Sequence, residues 1–130
     1  MVLVWSTLAF TFWHLSPILL DTEFRPRWAQ APILLLNAAA LGAIWGMLRL
    51  YSGSLVAGSL GHSVWNVVAY GFFGLGTKVG ALGMQETAIY GPEVGVLGLL
   101  LNIIFAAAVW AWCGSNHLLS RRPMTMIEGS

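Results

Sequence analysis

Four apolar runs dominate the chain, at about Val2–Leu20, Pro32–Leu48, Leu55–Phe73 and Val94–Cys113. Each is close to the ~20 residues that a helix needs to cross the hydrocarbon core of a bilayer. Breakers and charges separate them: DTEFRPRWAQAP, then RLYSGS, then the Gly-rich GLGTKVGALGMQETAIYGPE. A polar tail, GSNHLLSRRPMTMIEGS, follows the last run. Open strand edges cannot be satisfied in hydrocarbon, which argues against sheet. The pattern therefore predicts an all-α polytopic membrane protein, a bundle of about four antiparallel transmembrane helices over residues 1–113. Residues 114–130 are expected to form a separate tail, partly disordered.

Composition agrees with the pattern. Hydrophobic residues make up 58% of the 130 and charged residues 8%, against about 25% charged in an ordinary soluble domain. A chain this small cannot hide so much apolar surface from water, so its solvent is lipid. The net charge of +1 reflects a few loop residues and gives no footprint for nucleic acid. A single cysteine, Cys113, excludes an intrachain disulfide and a Cys-based zinc knuckle. The N-terminal MVLVWSTLAFTFWHL has neither a basic leader nor a small-residue cleavage site, so it does not read as a removable signal peptide.

Charge does not orient the bundle. One side carries Arg49, Arg121 and Arg122, and the other Arg25, Arg27 and Lys78, a tie under the positive-inside rule. Small residues point to close helix packing: Gly42 and Gly46 form a GxxxG pair, and Gly58, Gly61 and Gly71 lie on the third run. Trp28, Trp110 and Trp112 fit interfacial belts, while Trp13 and Trp65 sit mid-span and are expected to pack inside.

Five polar side chains stand inside the apolar runs: His14, Asn37, His62, Asn66 and Asn102. Such groups are costly in lipid and need partners. At ~1.5 Å per residue, His14, Asn66 and Asn37 lie roughly 8–10 Å from the same membrane face, with Asn102 and His62 deeper at roughly 12 and 16 Å. One cluster could hold all five. His62 and Asn66 are four apart and share a helix face, as do Phe10 and His14. Converging in a dry pocket, two imidazoles and a carboxamide can donate hydrogen bonds to developing negative charge or bind a metal. The alternative is interhelical glue, at under ~1 kcal/mol per bond on average. His14, His62 and Asn66 at matched depth favour a working or formerly working site. His117 reads as an interfacial residue of the tail. Asp21, Glu23, Glu86, Glu93 and Glu128 read as solvated loop or tail residues, with Glu93 further suited to a helix N-terminus by the macrodipole.

Two segments in order, FTFWHLSPILL and SGSLVAGSLGHSVWNVVAYG, resemble the CAAX protease and bacteriocin-processing family, the type II CAAX prenyl endopeptidases. Phe10 and His14 match its Phe-x-x-x-His motif, and His62 and Asn66 its His-x-x-x-Asn motif. GALGMQETAIYGPEVGVLGLLLN is similar to the end of prokaryotic members, which implies a multi-pass protein of a prokaryotic cytoplasmic membrane. The resemblance spans Val2 to Trp112 and implies intramembrane peptide hydrolysis. His14 would assist a glutamate that activates water, and His62 and Asn66 would hold the oxyanion. Zinc is one cofactor described for the family, but two His and an Asn make an incomplete zinc site. The family's Glu-Glu-x-x-x-Arg motif is missing, and only nine residues precede Phe10. Losing a positioned base costs roughly 10²–10⁴-fold in rate. The leading expectation is a truncated, non-catalytic core, a pseudoenzyme packing against other membrane subunits. The alternative is the C-terminal part of an active endopeptidase whose glutamate helix lies elsewhere. Met1 favours a chain that begins here, and so the first.

Overall fold

In the computed structural model, residues 1–20, 26–75 and 78–120 are described, with side chains as far as Ser115. Helix α1 (Val2–Trp13) turns at His14 into the short α2 (Leu15–Leu20). Pro17 explains the interruption, because it lacks an N–H and crowds the carbonyl four residues earlier. A 3₁₀ turn at Trp28–Gln30 leads into α3 (Ala31–Ser52), which carries Pro32 in its first turn. Helix α3 ends on Gly53, whose left-handed φ of 68° lets its N–H cap the Arg49 carbonyl at 2.9 Å. Ser54 caps α4 (Leu55–Val68) by accepting from the Val56 N–H. A π-helical turn, Ala69–Phe73, extends α4. The chain then forms a minimal antiparallel hairpin, β1 (Gly74–Leu75) with β2 (Lys78–Val79), one turn of helix α5 (Thr87–Tyr90), and α6 (Val96–Ser120).

Helix α3 is the hub, packed by α1, α4 and α6. Its glycines set the spacing on one side: a Cβ at Gly42 would meet Phe10 at 3.1 Å, and one at Gly46 would meet Leu3 at 2.6 Å. On the other side Trp45 lies against Gly58 and Gly61 of α4. These are the close approaches that small residues permit between membrane helices. Two apolar clusters fill the bundle. Leu41, Ile44 and Met47 meet Val109 of α6 in one, and Ile18 and Leu34 meet Leu75 and Val94 in the other.

The architecture is mostly helical, and three helices are long and apolar enough to cross a membrane: Val2–Leu20, Trp28–Ser52 and Val96–Ser115. They make this an integral, multi-pass membrane protein. The third apolar run, 55–73, becomes 14 residues of α-helix and a π-helical turn. It is not among the three, being diluted by Gly, Ser, His62 and Asn66. Two expectations need correction. The argument against strands missed β1–β2, which pairs its own backbone in a connecting segment rather than in hydrocarbon. Trp13 is exposed rather than packed inside, because Phe10 and His14 take the inward face and turn position 13 outward. Helix α6 runs seven residues past Cys113, to Ser120. Residues 21–25 and 121–130, with Asp21, Glu23, Arg25, Arg121, Arg122 and Glu128, lie outside the described residues, as does the His117 side chain.

Candidate active site

The Pro17 break creates the first feature of the site. At the end of α1 the His14 backbone N–H bonds to the Thr11 carbonyl at 3.1 Å, leaving the Phe10 carbonyl to the His14 ring. Nδ1 of His14 lies 2.7 Å from that oxygen. A carbonyl can only accept, so Nδ1 carries a proton, and whenever the ring is neutral the lone pair is on Nε2. The sequence spacing of Phe10 and His14 thus fixes a tautomer as well as a shared face.

The second histidine comes from α4. His62 meets the Phe10 ring edge-on, with centroids 5.1 Å apart and an interplanar angle of 71°. His14 lies against the same ring at 4.6 Å. Trp45 of α3 flanks His62 at 6.4 Å. Phe10 is therefore the common floor of two imidazoles from two helices. Asn66, one turn beyond His62, is half-buried, and its Oδ1 is buried without a hydrogen-bond partner. The Trp45 Nε1 and Thr7 Oγ1 atoms share that condition.

A groove of about 260 Å³ runs between α1, α3 and α4. Its outer end is framed by Val2, Arg49 and Leu55, its walls by Gly42, Trp45 and Gly58, and its inner end by Phe10 and His62. A linear apolar group could lie along it with a polar end against the imidazole. The type II CAAX prenyl endopeptidase Rce1-like family matches residues 1–68, the stretch that builds this groove and both histidine motifs. The chain belongs to this family. No curated protein and no solved structure gives a match. The CAAX-family match ends just past Asn66, so the hairpin, the 91–95 turn and α6 lie outside it.

The zinc that the family resemblance raises does not fit the donor set. No three His, Cys, Asp or Glu side chains converge to hold a metal ion among the described residues.

Asn37 and Asn102 do not join the histidines. Both are buried, and Asn102 Nδ2 donates to Asn37 Oδ1 at 2.8 Å and to the Pro92 carbonyl at 3.0 Å. Asn37 Nδ2 donates to the Glu93 carbonyl at 2.8 Å. These two asparagines are glue between α3, α6 and the turn before α6.

That turn holds the residue that sequence reasoning misjudged. Glu93 was expected to be solvated, yet it is only 4% exposed. Its Oε1 accepts from the Trp65 indole N–H at 2.7 Å and its Oε2 from the Tyr70 hydroxyl at 2.9 Å. Burial pushes the carboxyl above its ordinary value, opposed by the bonds from Tyr70 and Trp65 and by the nearby charge of His14. A signal did exist in GPEVGVLG. A Cβ at Gly98 would overlap the Gly91 and Pro92 carbonyls, so glycine is what lets this turn fold tightly onto α6 and carry Glu93 inward.

Proposed function

We propose that this chain supplies the histidine and asparagine half of an intramembrane endopeptidase site of the CAAX type. The observation that carries this is the pair of imidazoles on one Phe10 ring, with Phe10 and His62 lining the inner end of an apolar groove and His14 Nδ1 tied to the Phe10 carbonyl. In the reaction, water oxygen attacks the scissile carbonyl carbon and gives its proton to a glutamate base. The carbonyl electrons move to oxygen, where a His62 N–H and the Asn66 carboxamide can donate. Collapse breaks the C–N bond, and the proton passes to the leaving amine. His14, through Nε2, orients the base or the water. The family's paired glutamates do not occur in these 130 residues, so the base comes from another segment.

A second reading, a non-catalytic core that packs against other membrane subunits, is favoured by the outer face of α1. Trp5, Phe12 and Trp13 are all exposed there, and a partner helix could cover them. The test reconstitutes the full chain in nanodiscs, with and without its native membrane neighbours, and assays cleavage of a prenylated CAAX peptide. Cleavage abolished by His14→Ala and by His62→Ala supports the endopeptidase reading. Co-purification with neighbours and no cleavage under either condition supports the packing core.

A further inference from the structure

Among the described residues, Trp65 is the only α4 side chain hydrogen-bonded to another element, and its acceptor is Glu93. The remaining contacts of the site-bearing face are of a different kind. His62 touches Phe10 and Trp45 through ring faces and edges, which hold distance but tolerate rotation. The Asn66 Oδ1 has no partner. Glycine contacts with Trp45 set how closely α4 approaches α3, not how it is turned.

The carboxylate of Glu93 supplies what these contacts lack. Trp65 directly precedes Asn66 and follows His62 by three residues, and Tyr70 lies one turn past Asn66. One carboxylate bonds both, through separate oxygens. Two bonds taken five residues apart resist rotation of the helix about its axis as well as sliding along it. The π-helical turn starting at Ala69 changes the register between the two donors, and such turns recur at functional sites. The clamp is itself anchored, because the Glu93 carbonyl accepts from Asn37, which also holds Asn102.

We propose that Glu93 is a positioning residue of the histidine site: by holding Trp65 and Tyr70 it sets the rotation of α4, and with it the placement of His62 and Asn66. That this is a site rests on the endopeptidase reading above. Glu93 lies beyond the segment that matches the family, so the role is a property of this chain's own C-terminal half. The titratable groups acting on the carboxyl are Tyr70 and His14.

The test needs no cleavage. The full chain in nanodiscs carries ¹⁵N-labelled Trp, His and Asn side chains, and the variants are Glu93→Ala, Glu93→Gln, Trp65→Phe and Tyr70→Phe. Glu93→Ala is expected to shift the His62 and Asn66 side-chain resonances. Glu93→Gln keeps the shape and an acceptor for the indole, and restores them toward wild type. Should Glu93→Ala unfold, the two single-bond variants report the same quantity and are expected to shift both resonances partway. His62 and Asn66 resonances unchanged in every folded variant would overturn the proposal, leaving Glu93 a purely structural carboxylate. Resonance shifts together with no cleavage even in the presence of the native membrane neighbours would overturn the hydrolytic reading and leave the clamp standing.

Discussion

The bundle holds two polar regions that differ in one respect. In the Asn37–Asn102–Glu93 knot, both carboxamide N–H₂ groups, the Asn37 carbonyl and both Glu93 carboxyl oxygens have a partner. Around the histidines, buried polar atoms of Thr7, Trp45 and Asn66 have none. Buried polar groups in native proteins are nearly always bonded, and each exception calls for an explanation. A network whose buried groups bond one another across α3, α6 and the 91–95 turn explains itself as glue. Around the histidines the buried atoms are left unmatched, and one of them belongs to Trp45, which also lines the groove. The contrast separates polar residues that sequence depth alone had placed together.

Breaking the knot should have the largest effect on stability. Asn37→Ala removes the donor to the Glu93 carbonyl and the acceptor for Asn102. Orphaning a buried group costs roughly 1–3 kcal/mol, and membrane hydrogen bonds sit at the low end of such values. The expected loss for the two is about 2–3 kcal/mol, read as an earlier midpoint in detergent-denaturation curves. An unchanged midpoint would mean that the knot is not what ties α6 to α3.

Glu93 gives the next effect, and its sign follows from burial. The folded state binds the carboxyl proton more tightly than the unfolded state does, since the group is held above its ordinary value of 4.5. Its contribution to stability is therefore fully present below about pH 4.5 and is lost as pH rises through the folded value. Wild type should lose stability as pH climbs out of the carboxylate range, and Glu93→Gln should flatten that part of the curve. Parallel curves for the two proteins would show that other groups set the dependence.

Of the two polar regions, the histidine region should respond less in stability. His62→Ala forfeits ring contacts with Phe10 and Trp45 and no hydrogen bond, so the expected loss is about 1 kcal/mol or less. A loss as large as that of Asn37→Ala would place His62 in the same structural class as the knot and erase the contrast.

How far these regions could be read from sequence depends on the kind of signal. The span-length apolar runs gave the helical bundle, and four-residue spacing gave the shared faces of Phe10 with His14 and of His62 with Asn66. The GxxxG of α3 found its partner in α1 because a missing side chain is itself a packing signal. Depth could not tell the asparagines from the histidines, since it ignores azimuth around each helix. Glu93 was hidden because its burial depends on a turn folding back over residues 91–95, a tertiary event with no periodicity. The hairpin escaped for a similar reason: two residues per strand are too few to show alternation.

Trp13 supplies the smallest expected effect and a check on azimuth. Helix positions four apart share a face, so Phe10 and His14 define the inward side of α1 and position 13 falls off it. Trp13 is accordingly 77% exposed, whereas Trp65 is half-buried and bonded to Glu93. Replacing a lipid-facing Trp by Leu exchanges one apolar surface for another, and surface changes of this kind usually stay within about ±0.5 kcal/mol. Trp65→Leu removes a donor to a buried carboxyl and should cost clearly more. The two substitutions measured side by side in one detergent test whether α1 is turned as described. Equal losses would mean that Trp13 is packed, either because α1 is rotated or because a partner helix covers its outer face. Chemical cross-linking from position 13 would then distinguish those two causes, since only a partner yields a product larger than the chain itself.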